Sequence, residues 1–523
     1  MIVDAFPDNP ATTEYDVIVV GSGAVGMCLA IDLARSDLKV ALLEAGGRTL
    51  ANASQSIFRR ASWSGYPLEG LHVGRFRALG GTTNFWGGQL APFDSVVFEE
   101  RPWVADARWP VTHSNLQPHY SAAYQMLGVT ALSDAEVWER LASIPPNLPD
   151  ELEVFFTRWA PEPNLARLFR PELTTRTNLH VYLNSPVVGL APFDRGERVA
   201  PVILRSGGQR QVLHGRHIVL ANGTVEMARL MMLPLEGGAV GPWSENPWLG
   251  RGFMDHIDAF AGDVKPISRA KFDQAFDNAF VSGIKHHPKI KLSEQAQRSH
   301  RLVGVAAHFV YNSAQSEHIA NLKILVRGLL RGRFEKIDLR SVSEFFELRK
   351  IVLPMATRYL RYRRMYNPAD KGIQLRLTTE QIPLRTSRLT LRRDVDELEM
   401  PCVNLDWHID GSELDTMARF ATSVRDALRG ASLADIDLSP TLLARDPAFL
   451  ATIDDANHQM GMVRMAGRES DGVTDANLRV FGCDNLFAAG AAVFPTSGFS
   501  NPTLTAIALG LRLSTHLKGL CQR

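Results

Sequence analysis

Two polar residues near the C-terminal end have side chains suited to handling a hydroxyl group. His458 lies in N-H-Q-M-G-M-V-R-M (457–465) and Asn501 in N-P-T-L-T (501–505). A neutral imidazole, with a reference pKa of about 6.5, is free to accept a proton at neutral pH. A carboxamide can hold the same hydroxyl and orient its C–H bond without competing for the proton. Taken alone, His458 reads more simply as a buried histidine satisfied by backbone, and Asn501 as a helix cap. Which reading applies depends on what the rest of the chain brings to them.

The opposite end carries a second chemical signature. Y-D-V-I-V-V-G-S-G-A-V-G (15–26) predicts a strand over Tyr15–Val20, a glycine turn and a helix, followed by a second strand over Lys39–Leu43. Gly21 permits the tight turn, Gly23 lets backbone approach a pyrophosphate, and Gly26 lets helix and strand pack closely. The free N–H groups of the helix N-terminus then face the phosphates. Glu44 ends the second strand, eighteen residues past Gly26, where a carboxylate can take ribose hydroxyls. An acid there favours an unphosphorylated ribose over that of NADP. A merely structural glycine turn leaves Glu44 unexplained.

Near the C-terminus the pattern predicts a short strand over Asn485–Ala489, a break at Gly490, a turn over Pro495–Gly498 and a helix from Pro502. Proline suits the first turn of a helix, where its missing N–H is no loss. Asn501 then stands at the helix entry.

Together these blocks resemble the glucose–methanol–choline (GMC) family of FAD oxidoreductases. The resemblance also rests on E-A-G-G (44–47), L-G-G-T-T-N-F-W-G-G (79–88), I-V-L-A-N-G-T-V-E-M-A-R-L-M-M (218–232), N-P-W-L-G-R-G-F-M-D-H (246–256) and E-Q-I-P-L-R-T-S-R-L-T-L (380–391). It implies that His458 is the catalytic base and Asn501 its polar partner. It assigns FAD contacts to Gly21, Ser22, Gly23, Gly26, Glu44 and Ala45, and to Gly80, Gly81, Thr82, Asn84 and Trp86 in the loop passing the flavin. Further contacts fall on Val187, Ala221, Gly490, Asn501 and Thr503. On the same reading Gly461 lets backbone pass the ring system, while Arg464 and Met465 pack behind it. The 380–391 block resembles a strand pair of the substrate domain.

The loop at 80–86 and R-W-P-V-T-H-S-N-L-Q-P-H-Y-S-A-A-Y-Q-M-L-G-V (108–129) resemble the pyranose-oxidase-like branch. In covalently flavinylated members of that branch a histidine stands where this chain has Phe85. Phenylalanine cannot form that bond, so non-covalent FAD is expected. The implied activity is oxidation of an alcohol carbon, with a sugar or glycoside hydroxyl favoured and oxygen, a quinone or another carrier as electron acceptor. The alternatives are a non-sugar alcohol and a flavin-fold lyase of the hydroxynitrile-lyase kind. The implied fold class is α/β, α+β overall. A discontinuous Rossmann-type FAD-binding domain takes 14–90, 181–256 and 451–523. A substrate-binding domain on an antiparallel sheet with helices takes 91–180 and 257–450.

Bulk properties agree with such an enzyme and exclude other classes. At 523 residues the chain exceeds what one core usually supports. A net charge of +1 carries no nucleic-acid signature. Four scattered cysteines supply neither a disulfide framework nor a cysteine-held metal. His286 and His287 have no accompanying acidic or cysteine ligands, so no metal is expected. His256 and His516 read as packing or surface residues. The first sixteen residues lack basic and apolar runs, which leads to the expectation of a cytoplasmic protein without a membrane-spanning helix. Asn321–Arg364 holds twelve lysines and arginines against four acids, with apolar residues at helical spacing, and reads as the solvated face of a helix. Stable membrane anchoring through it is not expected.

Overall fold

The computed structural model describes residues 1–7, 14–193, 198–204, 208–314 and 352–522. The basic stretch 321–364 therefore lies outside the described residues as far as 351. Beyond that point, residues 352–362 are helical. No helix among the described residues is long and apolar enough to cross a membrane.

Two sheets of opposite character organise an α/β fold. The first has six strands in the order Ile2–Val3, Leu179–Tyr182, Val40–Leu43, Tyr15–Val20, Gly215–Leu220, Leu486–Ala488. Every pairing in it is parallel. Tyr15–Val20 is largely β-branched and buried almost throughout, as a parallel strand covered by helices must be. It lies between Val40–Leu43 and Gly215–Leu220, so the chain leaves it toward both sides and a crevice opens beyond its C-terminal end. The helices Ala24–Ala34 and Thr503–Cys521 pack together beside this sheet. A Cβ at Gly510 would come within 2.9 Å of Val25, and Ser514 and Lys518 both bond Asp32 at 2.7 Å. Observed ends differ from the expected ones by about a residue, as helix and strand ends commonly do.

The second sheet has nine strands. Its path runs Ala434–Leu438, Ile257–Pro266, Ile373–Thr379, Val305–Tyr311, Ile284–Leu292, Leu152–Trp159, Gln89–Leu90, and all these neighbours are antiparallel. The short strand Asp454–Asp455 joins Ile257–Pro266 just before His458. Helix Glu413–Gly430 closes one face through Leu414, Met417, Phe420 and Val424, which share a core with Ile290, Leu292, Val305 and Leu377. Side chains alternate along each strand, so His287, Lys289 and Lys291 point to the opposite face. The pair His286–His287 is thereby split. His286 turns toward Phe156, with ring centroids 6.0 Å apart, and bonds the Ile284 carbonyl at 3.0 Å.

The block 380–391 departs from expectation. Strand Ile373–Thr379 ends before it, and Arg388–Val395 belongs to a separate three-stranded sheet with Pro401–Trp407 and Ser62–Gly65. Residues 380–387 cross from one sheet to the other. Pro383 cannot donate to a strand ladder, and the buried side chains of Glu380 and Gln381 are committed elsewhere. Glu380 forms a fully buried two-pronged ion pair with Arg101, at 2.6 and 2.8 Å.

Candidate active site

The crevice at the ends of the parallel strands has the shape and polarity of a dinucleotide cradle. Its wall includes Gly21, Ser22, Gly23, Glu44, Ala45 and Val187, then Gly81, Thr82, Ala221, Gly490, Thr503 and His458. Gly21 has φ +99°, and a Cβ there would lie 2.7 Å from both the Ala221 carbonyl oxygen and Asn222 Cα. Nothing lies within 4 Å of a Cβ built at Gly23, Gly223 or Gly490, so these positions open onto free space. Helix Ala24–Ala34 has no side-chain cap, which leaves its first N–H groups for a ligand. Asn222 Oδ1 is buried without a partner among the described residues. Glu44 is buried and accepts from Ser22 Oγ at 2.5 Å and from the Gly46 N–H at 2.8 Å; burial raises its pKa. Free N–H groups, glycine walls and a buried carboxylate fit the pyrophosphate and ribose of FAD.

His458 lines this crevice and bonds Asn501, which is not itself part of the wall, and a third residue completes a chain of hydrogen bonds. Asn501 Nδ2 lies 3.0 Å from His458 Nε2, His458 Nδ1 lies 2.9 Å from His256 Nδ1, and His256 Nε2 lies 3.2 Å from the Ser497 carbonyl. A carbonyl oxygen only accepts, so His256 Nε2 carries its proton toward Ser497. His256 Nδ1 is then an acceptor, and the proton between the rings belongs to His458 Nδ1. His458 Nε2 is left with a lone pair, which accepts from the Asn501 amide. Both rings are held neutral. Burial lowers the pKa of His256 to about 4, and burial, then the neighbouring His256 and Lys289, puts His458 well below 6.5.

The backbone under His458 is pinned by Asp255. Its carboxylate accepts from the N–H groups of His256, Ala456 and His458 at 2.7 to 3.2 Å. Gln381 ties this segment to the rest: its Oε1 accepts from the Asp255 N–H at 2.9 Å and from Trp407 Nε1 at 3.0 Å, while its own N–H donates to Ser497 Oγ.

Residues 16–242 match the family profile described as FAD dependent oxidoreductase, and residues 383–510 the one described as GMC oxidoreductase. The chain thus carries an FAD-dependent oxidoreductase domain and a C-terminal GMC oxidoreductase domain. FAD is its cofactor. Cholesterol oxidase of Mycobacterium tuberculosis is 29% identical over 164 residues, 29% of this chain and 27% of that protein. C-glycoside 3-oxidase of Microbacterium trichothecenolyticum is 32% identical over 127 residues, 24% of this chain and 22% of that protein. The matched stretch thus spans only about a quarter of either relative. The structure of pyridoxine 4-oxidase from Mesorbium loti superposes with a TM-score of 0.56 at 17% identity, covering 97% of this chain and 99% of that one. At that identity the likeness concerns the fold alone.

Within this fold several expected contacts fall elsewhere. Gly26 stands behind the cradle: a Cβ there would lie 2.0 Å from the Gly21 carbonyl oxygen, so its role is packing. Gly80, Asn84 and Trp86 do not line the crevice. Gly80, at φ +94°, gives its N–H to Ser22 Oγ at 3.1 Å. Asn84 donates to the carbonyls of Leu79 and Gly81, and Trp86 Nε1 to the Pro163 carbonyl. These contacts shape the loop from behind, because each polar side chain finds a backbone partner within reach. Phe85 is 59% exposed and stacks on Phe76 at 5.0 Å.

Gly461 also differs from expectation. A Cβ on it would meet the Gly252 carbonyl oxygen at 2.0 Å, so its φ of +82° serves the close approach of two backbone segments, not the ring system. Arg464 does pack behind, over Trp248 with 4.2 Å to the ring centroid. Asn501 caps no helix, since the helix enters at Pro502 without a side-chain cap bond. His516 is a packing residue against Phe487. His256 is not: it is fully buried against His458. Asp255, His256 and Gln381 were missed because each reads locally as an ordinary polar residue. The only signal was that D-H and E-Q stood inside blocks carrying the family resemblance.

Proposed function

We propose that this GMC enzyme oxidises an alcohol carbon, with a hydroxyl of a sugar or glycoside as its substrate. The observation that carries the reading is the directed hydrogen-bond chain from Ser497 through His256 to His458 Nε2. His458 Nε2 takes the hydroxyl proton. Asn501 holds the same oxygen, exchanging its bond to the imidazole for one to substrate. His256 keeps the His458 proton on Nδ1, so that the outward nitrogen is always the base, and Asp255 holds the backbone beneath it. When bound, FAD supplies the two-electron acceptor that receives the hydride from the substrate carbon. The crevice residues named above hold it without a covalent link, as Phe85 stands clear of the cavity wall. The sugar assignment draws support from the branch resemblance and from the likeness to C-glycoside 3-oxidase. The division into an FAD-binding part and a substrate part belongs to the same reading, supported by the two unlike sheets.

Anaerobic addition of a panel of pyranoses, glycosides, aliphatic and aryl alcohols tests this. Pyranoses or glycosides should bleach the flavin absorbance fastest. Faster bleaching by simple alcohols removes the sugar assignment, and turnover of a cyanohydrin without bleaching replaces oxidation with a lyase reaction.

A further inference from the structure

One face of the antiparallel sheet, opposite the core under helix Glu413–Gly430, carries a row of charged and polar side chains. Strand Ile284–Leu292 presents Lys285, His287, Lys289 and Lys291 on that face. The flanking lysines are neutralised or covered. Lys291 pairs with Asp94 at 2.8 Å and Glu153 at 3.3 Å, and Lys285 stands 3.1 Å above the Trp159 ring.

Lys289 is different. It is only 9% exposed, yet among the described residues no hydrogen bond or ion pair closes on its ammonium group. Asp258, the carboxylate whose charge acts on it, is taken by Arg376 at 2.7 Å. Three features place Lys289 on the side of the sheet that meets the reacting site. Its charge acts on both His256 and His458. Phe155, its register partner across the strands, packs against Phe499, two residues before Asn501. Strand Asp454–Asp455, which leads into His458, is paired beside Asp258. Two imidazoles flank the lysine on the same face, His287 and His308, with ring centroids 5.6 Å apart. His308 Nδ1 is buried and has no partner among the described residues.

A buried ammonium without a partner is costly unless a ligand completes it. We propose that Lys289, with His287 and His308 beside it, anchors a carboxylate carried by the alcohol substrate. The substrate class is then a hydroxy acid, and within the sugar reading a uronic or aldonic acid. This rests on the oxidation reading above and narrows it. One unpaired positive charge calls for one negative charge. Burial holds His287 and His308 well below their usual pKa, so neither adds a second charge, and a doubly charged phosphate would be left half compensated.

The test uses the FAD-loaded enzyme and two matched pairs: D-glucuronate against D-glucose, and L-lactate against propane-1,2-diol. Binding is read from the perturbation of flavin absorbance and chemistry from anaerobic bleaching. In each pair that binds, the carboxylate should bind about 10- to 100-fold tighter, the usual worth of a buried charge-assisted contact. Lys289→Met should abolish the preference, read as the affinity ratio within each pair, and Lys289→Arg should keep most of it. The groups facing this ammonium are His287, His308, Arg376, Asp258, His256 and His458. Burial, opposed by Asp258 and helped by Arg376, brings the lysine pKa down to about 8, so the preference in the parent should fade as pH rises past that value.

Equal affinity within both pairs from pH 6 to 9, or a preference that survives Lys289→Met, overturns the anchor. If Lys289→Met fails to retain flavin, the pH dependence of the parent decides. Preference for lactate with no binding of either sugar would sink the sugar reading and leave the anchor standing. Bleaching by glucose as readily as by glucuronate would do the reverse.

Discussion

The two sheets solve the problem of holding a ligand in opposite ways. The parallel sheet offers its edge: the C-terminal ends of its strands, a helix N-terminus and a set of glycines present backbone to the cofactor. The antiparallel sheet offers its face, and there the side chains matter: Lys289, His287, His308 and Arg376 come from three different strands. Backbone recognition tolerates almost no added atom but does not care about side-chain identity elsewhere. Side-chain recognition tolerates shape changes and depends on charge. His458 and Asn501 lie where edge and face meet, so both kinds of sensitivity converge on them.

Perturbing the edge should cost most. Gly26→Ala places a Cβ 2.0 Å from the Gly21 carbonyl oxygen. Helix and strand must separate there, and retained FAD should fall below about a tenth of the parent level, with a lowered Tm. The flavin-to-protein absorbance ratio of the purified variant checks this, and full flavin occupancy would mean that the cradle is not built as described.

His458→Ala should retain FAD, since the cradle is untouched, while flavin reduction by substrate slows about 10²- to 10⁴-fold. The sign of the pH dependence follows from the lowered pKa. A base already neutral well below 6.5 gives the parent a rate that is flat across neutral pH and falls only at the acid side, as the imidazole gains a proton. Stopped-flow reduction from pH 5 to 9 should show that acid limb in the parent and not in the variant.

His256 offers a finer test, because it touches His458 and not the cavity wall. His256→Leu removes the acceptor for the His458 Nδ1 proton, and reduction should slow about 10- to 100-fold as the wrong tautomer becomes populated. His256→Gln can accept at Oε1 and donate from Nε2 to Ser497, and should recover most of the rate. A purely structural histidine would give two variants with equal rates and unequal Tm. Asn501→Ala should fall in the same range as His256→Leu, with the pH profile unmoved.

Phe85 should matter least. Its ring stacks on Phe76 and is largely exposed, so Phe85→Ala should change reduction by less than about threefold. Acid precipitation of the parent should release all the yellow colour into the supernatant, and colour kept in the pellet would refute non-covalent FAD.

The edge was legible in the sequence, because its signals are local. Gly21, Gly23 and Gly26 sit within six residues, Glu44 ends the next strand, and the alternation of strand, turn and helix follows from residue types along a continuous stretch. The resemblance to the GMC family likewise rested on short blocks, and it singled out His458 and Asn501. What the sequence could not supply is which side chains meet across distance. His256 and His458 are 202 positions apart, and Lys289 gains meaning only from strands that begin at 152, 305 and 373. The family resemblance sets Trp86 and Gly461 against the cofactor, and tertiary contacts with Pro163 and Gly252 claim them instead. Local propensity is written in neighbouring residues, whereas the direction of a proton along Ser497, His256 and His458 exists only once three distant segments are packed together.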